Sequence, residues 1–158
     1  MPRVTDIAVY RQPAHDTIEI RTRTSVQNLG TLVSEVYEKL FSYITERKAV
    51  PTDVPFITYY NTDMSDLDVS IGIPVSAELP AHGEIRPKKI LETDVVSCIF
   101  RGSYSDTAET YNEMHEWMSR SYYKPTGTVN EYYFNSPASV PEEELLTRIV
   151  FPIKTWTL

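Results

Sequence analysis

Glycine is scarce in this chain. Five residues in 158 leave too few for a phosphate-cradling loop, a dinucleotide fingerprint or a nucleophile elbow, and none of those patterns is present. Cysteine is scarcer still. The single thiol, Cys98, excludes an internal disulfide, and its place in the apolar run VVSCIF reads as a small buried side chain rather than a nucleophile. His15, His82 and His115 are far apart, with no Cys or carboxylate at ligand spacing around them, so no metal site is predicted and no cofactor is called for. Long apolar runs are missing too: nothing approaches the roughly 18 residues that a membrane-spanning helix needs. The start, MPRVTDIAVYR, lacks the apolar core of a signal peptide. A cytoplasmic protein without membrane contact is expected. Basic charge is also short, with 15 Lys and Arg against 22 Asp and Glu, a net charge of -7 and a pI near 5.0. The nearest thing to a basic patch is Arg86, Lys88 and Lys89, so direct nucleic-acid binding is not expected.

What the chain does have is an internal repeat. Sliding Val54–Asn61 (VPFITYYN) forward by 74 positions lands it on Thr128–Asn135 (TVNEYYFN), since 61 + 74 = 135. Both copies end on a Tyr-rich run closed by Asn. The same shift carries Tyr37 onto Tyr111, Leu40 onto Met114 and Ile44 onto Met118. The offset grows to 78 at the last strand, where Pro152 answers Pro74, because the acidic loop SPASVPEEE is longer than its counterpart NTDMS. The length suits one compact domain over 1–158 made of two pseudo-repeats, about 4–76 and 85–158.

The periodicities place elements in each copy. Val4–Arg11 and the alternating run TIEIRTRT (Thr17–Thr24) read as strands, paired as a hairpin through Gln12–Asp16. Leu29, Leu32, Val33, Val36, Leu40 and Ile44 then follow helical spacing, with Asn28 a candidate cap and an end before Pro51. Strands Phe56–Tyr60 and Asp66–Ile73 follow, and the connector Val75–Thr93, with Pro80, Gly83 and Pro87, reads as a linker with some extended character. Val95–Arg101 restarts the cycle as a strand. Asp106 and Glu109 are spaced as a capping box for a second helix with the stripe Ala108, Tyr111, Met114, Met118 and Tyr122. Strands Val129–Asn135 and Leu145–Ile153 close the second copy. Strand, helix, strand, strand, twice over, predicts an α+β fold with two helices on one face of an antiparallel sheet.

The copies differ where chemistry could enter, because Glu131 stands where the first copy has Ile57. Strand alternation puts Glu131 and Tyr133 on one face, and Tyr132 with Phe134 on the other, the latter pair assigned to the side under the helices. Tyr59, the counterpart of Tyr133, shares a face with Ile57. Two halves related by a pseudo-twofold axis would bring these side chains into one concavity. Tyrosine faces with one carboxylate suit a flat cation. The same residues fit a blander reading, in which a strand glutamate is solvated on an open sheet face and the tyrosines pack. Tyr104, Tyr111 and Trp117 lie on or just before the second helix, where core packing and ligand contact are both open to them. Glu142, Glu143 and Glu144 read as a solvated loop.

The second half, from CIFRGSYSDTAETYNEMHEWM through KPTGTVNEYYFNSPASVPEEELLTRIVFPI, resembles the GyrI-like, or bacterial transcription-regulator effector-binding, domain. The resemblance covers essentially the whole chain. Its most specific parts are Gly-Ser-Tyr before the second helix, Glu131-x-Tyr133, Asn135-x-Pro137 and PEEELLT before the last strand. It implies a tandem strand-helix-strand-strand fold with a ligand cleft between the halves. It also implies that Glu131 faces that cleft and pairs with cationic, aromatic or lipophilic compounds, helped by Tyr133 and Tyr59. In multidrug-responsive regulators of this kind the domain follows a DNA-binding helix-turn-helix region. Here the chain starts almost at the first strand, so regulatory output would need a separate protein partner.

Three functions fit. The favoured one is a stand-alone binding protein for small amphipathic or cationic aromatic ligands, with Glu131 selecting the cation and burial raising its pKa in the empty site. The second is a hydrolase of strained cyclopropane-type genotoxins, as some stand-alone members that this chain resembles are. Glu131 would then be the general base, with Tyr133 or Tyr104 as hydrogen-bond donor. The third is a protein-binding modulator such as a gyrase inhibitor, using the acidic surface.

Overall fold

The computed structural model describes residues 3–154. In chain order it contains β1 (Ala8–Gln12), β2 (His15–Thr24), α1 (Val26–Glu46), β3 (Phe56–Tyr59), β4 (Leu67–Val75), β5 (Arg86–Ile90) and β6 (Thr93–Arg101). These are followed by α2 (Ala108–Arg120), β7 (Lys124–Pro125), β8 (Val129–Tyr133) and β9 (Leu146–Lys154). The chain is α+β, and it divides into two compact units. One is Pro13–Glu92; the other joins the described residues up to Gln12 to those from Thr93 onward.

In the Pro13–Glu92 unit the sheet runs β3-β4-β2-β5, every neighbour antiparallel. Ile71 of β4 lies opposite both Ile20 of β2 and Ile57 of β3, forming an apolar row. Helix α1 packs on β2 and β4 and buries Val36, Leu40, Tyr43 and Ile44, positions at helical spacing. Each large aliphatic side chain so removed from water contributes on the order of 1.5–3 kcal/mol. The helix starts at Val26 with Ser25 as its N-cap residue, three positions ahead of the expected Asn28 cap, and no side chain caps it.

The second unit repeats this plan in the order β1-β6-β9-β8, with β7 added along the end of β9. Its core is Val96, Cys98 and Phe100 of β6, Met114 and Met118 of α2, and Ile149, Phe151 and Ile153 of β9. Cys98 is buried there, which pushes its thiol up to about 11. The expected capping box does not form. Instead a short 3-10 turn, Tyr104–Asp106, precedes α2, and the Ser103 hydroxyl accepts from the Ser105 N–H. Tyr122, expected on the inner stripe, lies past the end of α2 and is 78% exposed.

The repeat is exact to the residue in the ladders. Tyr59 sits opposite Val69, and Tyr133 opposite Thr147; the shifts are 74 and 78 (59 + 74 = 133, 69 + 78 = 147). After each first strand an asparagine locks the turn. Asn61 accepts from the Asp68 N–H at 2.9 Å and donates to the Asp66 carbonyl at 3.0 Å. Asn135 accepts from the Leu146 N–H at 2.9 Å and donates to the Glu144 carbonyl at 3.1 Å.

The expected hairpin of the first two strands is absent. Strand β1 pairs with β6, from Ala8↔Ser97 to Gln12↔Thr93. Strand β2 is occupied on both sides, by β4 and by β5. The connector expected as a linker thus supplies a real edge strand, Arg86–Ile90. Each unit receives its edge strand from the segment that precedes the other unit's first long strand. Two residues, Pro13 and Ala14, separate β1 from β2, and β1 takes its hydrogen bonds from β6 rather than folding back.

Candidate functional site

Glu131 lies on β8 directly opposite Ile149 of β9. Residues opposite one another in a ladder share a face, and Ile149 belongs to the core under α2. Glu131 and Tyr133 therefore point toward α2, and the expected assignment of Tyr132 and Phe134 to the helix side is reversed. Tyr132 is buried on the opposite face with the Arg148 guanidinium 4.9 Å from its ring centre. Phe134 lies beyond the end of β8 and is exposed. Alternation predicts two faces correctly; it does not say which one a helix covers.

On the helix side the carboxylate meets two phenols. The Tyr111 hydroxyl, from the first turn of α2, donates to Glu131 Oε2. The Tyr133 hydroxyl donates to Oε1 at 2.7 Å, reaching across from two residues along the same strand. The Tyr104 ring stands edge-on to Tyr133 with centroids 5.5 Å apart and is 41% exposed. Behind Tyr111, Phe151 of β9 packs at 5.8 Å, and His115, one turn along α2, packs on Phe151 at 5.0 Å.

Glu131 keeps some accessible surface, yet it sits deep enough in protein that lost hydration dominates and raises its pKa. The hydrogen bonds from Tyr111 and Tyr133 pull the other way without cancelling the rise. Tyr104 is also held above its ordinary value, by burial first and then by the charge of Glu131. The arrangement is a desolvated carboxyl between two donors, one side of it bordered by an exposed aromatic edge. It can bind a cation, or hold and release a proton near a bound molecule.

Of the residues singled out from sequence, the structure brings together Glu131, Tyr111, Tyr133 and Tyr104. Trp117 stacks on Tyr123 at 5.8 Å and lines a separate surface concavity of about 420 Å³ with Arg3, Glu113 and Arg120. Ile57 and Tyr59 lie on β3 of the Pro13–Glu92 unit, Ile57 buried and Tyr59 half-buried. His115 and Phe151 were not anticipated. Both were readable in principle, His115 one turn after Tyr111 and Phe151 two residues after Ile149 on the same face. A larger concavity of about 770 Å³ lies against α1, and neither concavity is lined by Glu131. The chemistry of the carboxyl cluster, not cavity size, marks it as the candidate site. Among the described residues no group of His, Cys, Asp or Glu is placed to hold a metal ion, and no helix is long and apolar enough to cross a membrane.

The repeated strand-helix-strand-strand plan agrees with what known proteins show. The GyrI-like small molecule binding domain matches residues 7–154, and the chain belongs to that family. Among solved structures, the C-terminal domain of EcmrR superposes with a TM-score of 0.80 at 18% identity, covering 97% of this chain and 99% of that one. EcmrR in its DNA complex gives a TM-score of 0.84 at 18% identity; 96% of this chain is covered, and it spans 58% of that chain. A hydrolase from Listeria innocua matches with a TM-score of 0.70 at 13% identity, over 98% of this chain and 94% of that one. SAV2435, solved bound to tetraphenylphosphonium, matches with a TM-score of 0.59 at 7% identity over 95% and 94%. No curated protein sequence matches the chain. At these identities the structural likenesses speak to the fold.

Proposed function

We propose that the chain captures small amphipathic molecules carrying a delocalised or shielded positive charge, with Glu131 as the charge-selecting group. The single observation that carries this reading is the Glu131 carboxyl. It is desolvated with its pKa raised, and it is met by two phenol donors and no fixed cation among the contacts described. A carboxyl in that state gains most from a poorly hydrated organic cation, which restores the ionised form without the cost of stripping a tightly hydrated ion. Tyr104 and Tyr133 offer ring edges and faces to an aromatic group. Family membership supports small-molecule binding, and the tetraphenylphosphonium held by SAV2435 is a ligand of this chemical type.

A hydrolytic role is the second reading, favoured by the same raised carboxyl pKa, which makes Glu131 a stronger base than an ordinary carboxylate, and by a neighbour described as a hydrolase. One experiment separates the two. Wild type and Glu131→Gln are titrated with tetraphenylphosphonium, with neutral polyaromatics and with a cyclopropane-containing compound, and the ligand is recovered for mass spectrometry. Capture predicts cation affinity reduced at least about tenfold in the variant, as for loss of a charge-assisted contact, with neutral compounds little changed and all ligands intact. Equal cation affinity in the two proteins would overturn the role of Glu131. Recovery of a strained ring compound with one added water, from wild type alone, would establish the hydrolase instead.

A further inference from the structure

The second unit departs from the first at more than Glu131. Helix α2 buries Thr110, Met114 and Met118 where α1 buries Val36, Leu40 and Ile44, and 36 + 74 = 110. On the strand paired with each Tyr-rich run, Thr147 stands where the first unit has Val69. Three positions that are buried and apolar in the first unit are thus polar in the second: Ile57 becomes Glu131, Val36 becomes Thr110 and Val69 becomes Thr147.

The three lie on one side of the sheet, under one end of α2. Thr147 is directly opposite Tyr133 on β8 and Phe100 on β6, on the face that carries Glu131. The Cys98 thiol donates to Met114 Sδ at 3.6 Å, and α2 is entered from the Arg101 end of β6, so Thr110, one turn before Met114, falls on the Phe100 side of that contact. Its neighbour Tyr111 is the residue whose hydroxyl reaches Glu131. Both threonines are 0% exposed, and among the described residues neither hydroxyl has a hydrogen-bond partner. A buried hydroxyl without a partner destabilises a fold. Packing does not call for one here, because valine has the shape of threonine and Val36 and Val69 fill the same places in the first unit. Local rules are broken in this way where a site needs the group for something else.

We propose that Thr110 and Thr147 form the hydrogen-bonding wall of the Glu131 site, and that the ligand's charged group is an N–H-bearing, delocalised cation of the amidinium type. This rests on the reading of Glu131 as the charge-selecting group. The carboxylate pairs with the charge, the threonine oxygens accept further N–H donors, and the aryl part lies against Tyr104 and Tyr133. A quaternary ammonium or phosphonium ion carries the charge but has nothing to offer the hydroxyls. The exposed Tyr104 ring packs on Tyr133, the residue opposite Thr147, so displacement of that ring opens the way inward.

The test is a titration with two cations of the same aryl group and charge, biphenyl amidine, protonated at neutral pH, and biphenyl trimethylammonium, which has no N–H. Wild type should prefer the amidine. Thr110→Val and Thr147→Val should each weaken amidine binding by about fivefold to tenfold, leave trimethylammonium binding unchanged, and raise the melting temperature of the free protein by about 2–4 °C. Thr147→Ser keeps the hydroxyl and should keep the preference. Glu131→Gln should weaken both cations. If the valine variants lose both cations alike, lose neither, or melt below wild type, the wall is overturned while cation capture by Glu131 stands. Equal binding of both cations by wild type and Glu131→Gln would overturn capture itself, and no binding of either cation to wild type would overturn both.

Discussion

Glu131 is the residue on which most depends, and its environment makes a signed prediction. Burial raises its folded-state pKa above the unfolded carboxyl value of about 4.3. Folding therefore takes up a proton in the interval between the two values. That contribution is fully present below the unfolded pKa and is lost as pH rises through the folded one. The melting temperature of Glu131→Gln should accordingly gain on that of wild type as pH climbs from about 4 to above the folded pKa, and then run parallel to it. A gap that stays constant across this range would mean that the carboxyl titrates normally. Tyr111→Phe and Tyr133→Phe each remove a donor that favours the ionised form, so either should move the Glu131 titration to higher pH in carboxyl-resolved NMR. The contrast with Ile57 is legible in sequence; the donation from Tyr111 is not, because it requires α2 to lie over the face of β8 that carries Glu131.

At the scale of the element, both helices end the same way. After α1 the N–H of Lys48 bonds to the Thr45 carbonyl and that of Ala49 to the Ile44 carbonyl. After α2, Tyr122 and Tyr123 repeat this with Ser119 and Met118. Each motif passes through a left-handed residue, Lys48 at φ +56° and Tyr122 at φ +63°, where glycine is the usual occupant. A side chain at this backbone conformation costs about 1–2 kcal/mol, part of which glycine gives back through its greater freedom in the unfolded chain. Lys48→Gly and Tyr122→Gly should each stabilise the protein by roughly 0.5–1 kcal/mol in denaturant melts. A loss of stability in both would mean that the two side chains hold their helix ends by contacts that outweigh the strain. The positions are 74 apart, as the repeat requires (48 + 74 = 122), yet neither residue type signals a left-handed turn.

At the scale of the molecule, the exchange of edge strands is the feature with the clearest consequence. Because β1 completes the sheet of α2 and not that of α1, removal of residues 1–12 should strip protection from β6. In hydrogen exchange the β6 amides that face β1 should open, those bonded to β9 keeping their protection, while β2, held by β4 and β5, is unchanged. A hairpin arrangement would give the reverse, with β2 exposed and β6 untouched.

By itself the amino-acid sequence determined the repeat, its offset of 74 growing to 78, the two helices and four long strands, and the single carboxylate that breaks the symmetry. These are local: they follow from apolar spacing, turn residues and the comparison of one segment with another. Tertiary structure decided which strand closes each sheet, which face of β8 meets α2, and hence which phenols reach Glu131. The reason is physical. An edge strand satisfies the same backbone hydrogen bonds on either of two sheets, so its partner is chosen by the geometry of the whole. Each face of β8 carries a polar residue beside a tyrosine, Glu131 with Tyr133 on one and Asn130 with Tyr132 on the other, so composition does not announce which side a helix will cover.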